Sequence, residues 1–228
     1  MTLTVNSIGD NPATPGSIGY LYTSDQLIAG DLKMVTRGQA TITGALLLPR
    51  GTILGQVTIG AVTSAAKGGG NTGNGTNTLL SAGTRAKTGV YQVRFLTATT
   101  YTVVNPNGYA LPNGANGAYV NPELNFTITA GGTAFVAGDG FDITVAAGAS
   151  TFKKCVKTAV DGSQVPAGIL VDVADASLAD VNGGVYLTGE FNENRVAYDV
   201  SWTLADIRDA LRPLGIFLKS AVIADPPS

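Results

Sequence analysis

Few residues of this 228-residue chain have the types and spacing that chemistry requires. Gly68-x-Gly70-x-x-Gly73 has the spacing of a dinucleotide-binding turn, where glycines let the backbone approach a pyrophosphate at a helix start. The next residues are Asn74-Gly75-Thr76-Asn77-Thr78, which no helix would choose, so the expectation is a flexible loop. Glu190 and Glu193 can be pictured as the carboxylate pair of a glycoside hydrolase, but their turn-rich setting points to a local surface role. Asp139 and Asp142 could hold Ca²⁺ with loop carbonyls, yet two acids in a glycine turn usually make only the turn. Cys155 lies among Lys153, Lys154 and Lys157, which would lower a thiol pKa, but without a histidine it is expected to be inert or merely modifiable. Trp202 could stack on a sugar, although packing suits it better. The expectation is no catalytic constellation, no metal and no cofactor.

The composition narrows the field further. The 14 Lys and Arg face 16 Asp and Glu, and charged residues make up 13% of the chain, about half the usual share. With no histidine there is no Ser-His-Asp or Cys-His pair and no imidazole metal site. One cysteine allows no disulfide framework and no thiolate zinc cluster. Few cations and a net charge of -2 argue against nucleic acid, whose binding rests on phosphate neutralisation. The start, Met1-Thr2-Leu3-Thr4-Val5-Asn6, does not read as a signal peptide, and no apolar run is long enough to span a bilayer. The expectation is a soluble protein made in a reducing cytoplasm. With so little charge its surface is prone to association, which points to partners covering much of it.

The elements that must carry any site read as β-structure. Residues 1–25 contain no Lys or Arg and look like a loose extended arm. Residues 35–42 suggest a strand pair around Arg37-Gly38, residues 46–48 a short buried run, and residues 52–57 a strand after the Pro49-Arg50-Gly51 turn. The glycine-rich run 68–75 cannot bury enough apolar surface to offset its backbone entropy. Residues 90–147 suggest a compact unit of short strands, a small sandwich or barrel, in which Leu124, Phe126 and Ile128 alternate with polar residues. Longer β-runs return at 167–171 and 184–189. One helix is expected at about 203–214, capped by Thr203, with Leu204, Ile207, Leu211 and Leu214 on one face and Pro213 and Gly215 ending it.

Five segments in order resemble the head decoration proteins of tailed bacteriophages, the lambda type. They are Arg50-Gly51-Thr52-Ile53-Leu54-Gly55 with the preceding Ile28-Ala29-Gly30-Asp31, Ala159-Val160-Asp161-Gly162-Ser163, Val165-Pro166-Ala167-Gly168-Ile169-Leu170, Val185-Tyr186-Leu187-Thr188-Gly189-Glu190-Phe191-Asn192, and residues 206–212 with Gly215-Ile216-Phe217-Leu218-Lys219. The resemblance covers about 26–59 and 150–220, and the family-motif positions are Arg50, Gly51, Pro166, Gly189, Glu190, Phe191, Arg208, Leu211, Gly215 and Phe217. It implies a mainly β fold, a β-tulip or barrel-like decoration core with one short helix. This core would be discontinuous, 26–59 with 150–228, around an inserted glycine-rich loop and β domain at 60–149. The resemblance further implies a homotrimer on the outer capsid surface of the virion, clamping the phage major capsid protein, with synthesis in the host bacterial cytoplasm and neither nucleic acid nor membrane as partner.

In that setting residues 1–25 are the capsid-binding arm, and Thr2, Leu3, Thr4, Val5, Ile8 and Tyr20 are its expected contact residues. Strand addition uses backbone hydrogen bonds and needs few special side chains. About 20 extended residues reach roughly 65 Å. Three arms on one trimer offset the entropy of ordering, because the second and third dock intramolecularly. The competing expectation is an adhesion module, displayed on the capsid, whose 60–149 insert binds host-surface glycans or proteins through Tyr101, Tyr109 or Tyr119, with Trp202 outside it.

Overall fold

The computed structural model describes residues 27–30, 33 and 35–220. Strands β1 (Thr36–Ile42), β2 (Leu47–Leu48) and β3 (Ile53–Gln56) come first. Eight strands follow: β4 (Ile59–Ala66), β5 (Thr76–Ala82), β6 (Gly89–Phe95), β7 (Thr100–Val104), β8 (Ala110–Ala115), β9 (Gly117–Val120), β10 (Leu124–Thr129) and β11 (Gly140–Ala147). The last third holds β12 (Phe152–Lys154), β13 (Pro166–Leu170), β14 (Ala174–Asp175), β15 (Val181–Tyr186) and β16 (Gly189–Asn192), then helix α1 (Leu204–Leu211) and β17 (Ile216–Lys219). The fold is mainly β with one short α-helix, as the resemblance implies.

Strands from the two outer thirds close a barrel in the order β1-β12-β3-β13-β15. Alternation gives these strands an inner and an outer face. Leu54, Leu170, Val185, Ile42 and Phe152 fill one core, and Ile53 and Ile169 turn to another with Phe191, Ile207 and Leu211. Paired β2 and β14 contribute Leu48 and Ala174 to the first core.

The middle third forms two other sheets, β4-β11-β6-β7-β8 and β5-β10-β9. They share one core, with Tyr91, Val93, Phe95 and Tyr101 from the first and Leu124, Phe126 and Ile128 from the second. The Tyr101 and Phe126 rings lie 5.8 Å apart across it, and Phe95 stacks on Phe135 at 4.0 Å. Of the two architectures expected for this segment, the sandwich is the one present. It joins the barrel through a ribbon: β3 pairs antiparallel with β12, Val57 N–H donates to the Thr151 carbonyl at 2.8 Å, and β4 pairs with β11 beyond it.

Several local expectations need correction. Residues 35–42 make one strand, not a pair, because Arg37-Gly38 lies at an irregularity in the β1–β15 ladder rather than at a turn. In the run 46–48 only Leu48 is buried, since pairing with β14 turns Leu47 outward. The run 184–189 is split, β15 ending in the barrel and β16 starting another sheet at Gly189. Helix α1 stops at Leu211, a 3-10 turn over Arg212–Leu214 finishes it, and Leu214 is exposed, so Ile207 and Leu211 alone are its fully buried anchors. Thr203 caps as expected, its hydroxyl accepting from Asp206 N–H at 3.2 Å.

The glycine-rich run is held by polar contacts, which apolar reckoning overlooks. The Asp139 carboxylate accepts from the backbone N–H groups of Thr72 and Gly73 at 2.9 Å each and of Val136 at 3.0 Å. Asn71 Oδ1 accepts from Gly140 N–H, and Asn74 Oδ1 accepts from Thr133 N–H. A Cβ at Gly73 would stand 2.7 Å from the Phe135 backbone, so the loop also lies against the sandwich core. Burial alone would raise the Asp139 pKa, but the three amide donors, with Lys67, outweigh it and hold it below the usual value. Its stabilising contribution is therefore full above the unfolded-chain pKa of about 4 and fades as pH falls through the lower folded value. Asp139→Ala leaves three amides without their acceptor and is expected to cost about 2–3 kcal/mol. Thermal denaturation from pH 7 down to pH 2 should show wild type and variant converging in acid; equal melting temperatures at pH 7 would refute the latch.

Candidate functional site

The expected arm contacts Thr2, Leu3, Thr4, Val5, Ile8 and Tyr20 lie outside the described residues. What the structure does define is how the chain is held from Leu27 onward. Leu27 to Ala29 run antiparallel along β16: the Leu27 carbonyl accepts from Asn192 N–H at 2.8 Å, Ala29 N–H donates to the Glu190 carbonyl at 2.9 Å, and Ile28 bridges Phe191. On its other side β16 pairs in parallel with β17, Gly189 opposite Ile216 and Asn192 opposite Lys219. Parallel neighbours need a crossover, and the segment carrying α1 supplies it. Leu27, Asn192 and Lys219 therefore stand side by side. The described chain enters and leaves at the same end of this small sheet.

The sequence builds this root in recognisable steps. Gly189 (φ 144°) and Gly215 (φ 73°) begin the two parallel strands in backbone conformations that favour glycine. Phe191 and Leu27 then bury their side chains with Ile207, Leu211 and Ile216. Gly51 (φ 79°) passes so close that a Cβ there would stand 2.7 Å from the Arg195 carbonyl oxygen and 3.0 Å from Leu27 Cδ1. A Cβ at Gly30 would collide with the Glu190 carboxylate. Of the family-motif positions, Gly51, Gly189, Glu190, Phe191, Arg208, Leu211 and Gly215 gather around this root; Phe217 shows 39% exposure on β17, Arg50 precedes Gly51 in its turn, and Pro166 starts β13.

The groups whose types suggest chemistry all have structural work nearby or elsewhere. Glu190 pairs with Lys219 Nζ at 2.6 Å, and Glu193 pairs with Arg208. Asp142 pairs with Arg94 at 2.6 Å, and Asp139 is the loop latch. The three lysines around Cys155 turn to Asp161, Asp199 and Asp206, and burial pushes the thiol up to about 12. Trp202 packs beside the helix core, with Lys157 Nζ 5.1 Å from its ring centre. The Gly68-x-Gly70-x-x-Gly73 run is followed by strand β5, not a helix. Among the described residues no group of three metal-ligating side chains converges.

The stacking candidates need correction. Tyr101 and Tyr119 are core residues of the sandwich, which the apolar alternation of their strands had signalled. Tyr109 is exposed at the β7–β8 turn, with Lys87 Nζ 5.9 Å from its ring centre. What sequence reasoning missed is the order along β3. Gly51, just before β3, touches the incoming chain at Leu27, whereas the ribbon to the sandwich begins at Val57, just after β3. Signals for the two ends lay in separate parts of the sequence, with nothing local to relate them.

Gly51→Ala combines a left-handed backbone with a steric overlap and is expected to destabilise the protein by at least about 2 kcal/mol. A melting temperature unchanged from wild type would show that Leu27 is not seated there.

A family model described as "Bacteriophage lambda head decoration protein D" matches residues 20–217. No curated protein matches the chain. Among solved structures, two crystal structures of Xanthomonas campestris FlgL are similar at 24% identity, with TM-scores of 0.32 and 0.31 over 43% and 42% of this chain. The chain spans only 33% and 31% of those proteins, and so slight a likeness carries no argument.

Proposed function

The chain belongs to the bacteriophage lambda head decoration protein D family, a family of structural capsid proteins, and from that premise we propose that it binds the outside of the expanded phage capsid as a homotrimer and clamps neighbouring major capsid proteins. In this reading residues 1–25 are the capsid-binding arm, 26–59 with 150–228 the decoration core, and 60–149 an insert. The observation that carries it is the separation along β3. Leu27, where the described chain begins, lies against Gly51 before that strand, and the ribbon to the sandwich departs after it. An arm rooted at the first end reaches the shell while the sandwich points away from it.

The low charge of the protein suits this role, because little has to be desolvated when a subunit is covered by its neighbours and by the shell. The arm begins against an existing sheet, at Leu27 to Ala29, so extending it as a strand continues a ladder already begun. The rigid root also limits the entropy that docking removes, since Leu27 is already buried in the free subunit. Binding to the shell is passive. No bond is made or broken, and the stabilisation comes from linking neighbouring capsid proteins through one trimer.

Matured, undecorated heads should disrupt at a higher temperature after the protein is added at micromolar concentration. No binding under those conditions would reject the reading. Deleting residues 1–20 should leave a folded trimer that no longer docks. Full binding by that truncation would move the contact away from the arm.

A further inference from the structure

Paired β2 and β14 and the segment after them present a face unlike the rest of the surface. Leu47 and Val173 point outward with 62% and 59% exposure, while Leu48 and Ala174 point into the barrel. Leu178, just beyond, is 99% exposed. Asp172 and Asp180 flank this segment in sequence, and Asp175 stands opposite Leu47 in the β2–β14 pair. All three are exposed, and none has a basic partner among the described residues. Asp172 and Asp175 accept only local hydrogen bonds, from Val173 N–H and from the Ser177 amide and hydroxyl, whereas every other described acidic side chain is ion-paired or, at Asp139, buried against backbone amides. An apolar surface ringed by unpaired carboxylates calls for an apolar partner that brings cations.

The same chain carries such a surface elsewhere. β1 meets β12 only at Ile42 and Phe152, so its edge over residues 36–39 is open on that side. Those residues are exposed on both faces. Val35, next to them, is exposed, and Lys33 and Arg37 lack acidic partners among the described residues. Acidic and apolar on one side, basic and apolar on the other, the two patches complement each other. A contact between different patches of identical subunits is head-to-tail, the kind that closes into a ring.

We propose that the 172–180 segment of one copy seats on the Lys33–Arg37 edge of the next, and that this contact builds the trimer. The inference rests on the trimeric reading of the family and names the surface that makes it. Asp180 and Arg37 are its electrostatic pair, Leu178 and Leu47 its apolar anchors. Each contact occurs three times in a closed ring, so a modest change at one residue is multiplied by three.

Light scattering of the full chain across a dilution series, at low and high salt, tests this. Wild type should be a trimer. Asp180→Lys and Arg37→Asp should each raise the concentration of half-dissociation about tenfold, as expected when a weak surface pair is lost three times over. The two together should regain most of that loss, a rescue that misfolding cannot imitate. Leu178→Asp should dissociate the trimer further, with an unchanged circular dichroism spectrum. Trimers that ignore all three substitutions would overturn the inference and leave the trimeric reading standing. A wild type that stays monomeric at every concentration would overturn the inference, and one that also ignores purified heads would overturn the trimeric reading with it. Variants that remain trimeric but fail to bind heads would assign the face to the shell, which also overturns it.

Discussion

Four residues, the strand Ile53–Gln56, carry the organisation of the whole molecule. β3 lies between β12 and β13 in the barrel and gives one side chain to each of two cores, Ile53 to the helix side and Leu54 to the interior. Its start is fixed by Gly51, pressed between Leu27 and the Arg195 carbonyl. Its end runs straight into the ribbon that bears the sandwich. Every backbone donor along such a strand must be met within the fold, so its register leaves no freedom to either neighbour. Leu27 and the middle third are therefore held at opposite ends of one rigid element, and the functional reading depends on that separation.

The charges show how a protein with few of them uses them. Lys153 bridges to the nearby Asp161, while Lys154 and Lys157 bridge to carboxylates distant in sequence, Asp199 and Asp206. The first ties β12 to the loop after it, and the other two tie β12 and that loop to the crossover segment and the helix start. Exposed pairs of this kind contribute little singly. Their value is positional, since each lysine's charge is matched by a carboxylate, and burial, with the Asp199 charge adding to it, holds the Cys155 thiol up against the lowering contact with Trp202. The acids of 172–180 stand out against this background because the other described carboxylates are ion-paired or, at Asp139, buried against backbone amides.

Much of the architecture could be read from side-chain pattern. The alternation of Leu124, Phe126 and Ile128 foretold a half-buried strand, and Thr203 with Gly215 bracketed the one helix, because caps and period-two burial are local. The fold class and the family resemblance were also legible. The errors arose where long-range contacts overrule local composition. Arg37-Gly38 resembles a turn, yet pairing with β15 keeps the strand running through an irregular ladder. The run 68–75 resembles a free loop, yet a carboxylate more than sixty residues away organises it. Tyr101 and Tyr119 resemble ligand-stacking residues only if their facing sheet is ignored. For the root, the motif residues were legible, but their convergence on Leu27 was not, since it depends on a parallel pair closed across a long crossover.

The stem of the ribbon has a genetic consequence. Val57 and Thr151 are already hydrogen-bonded partners, so the strands that flank the middle third end side by side. A tight turn spans that distance as readily as the whole sandwich does. Replacing the middle third by such a turn would leave the register of the barrel unchanged, so the stem makes the sandwich separable from the strands that carry it.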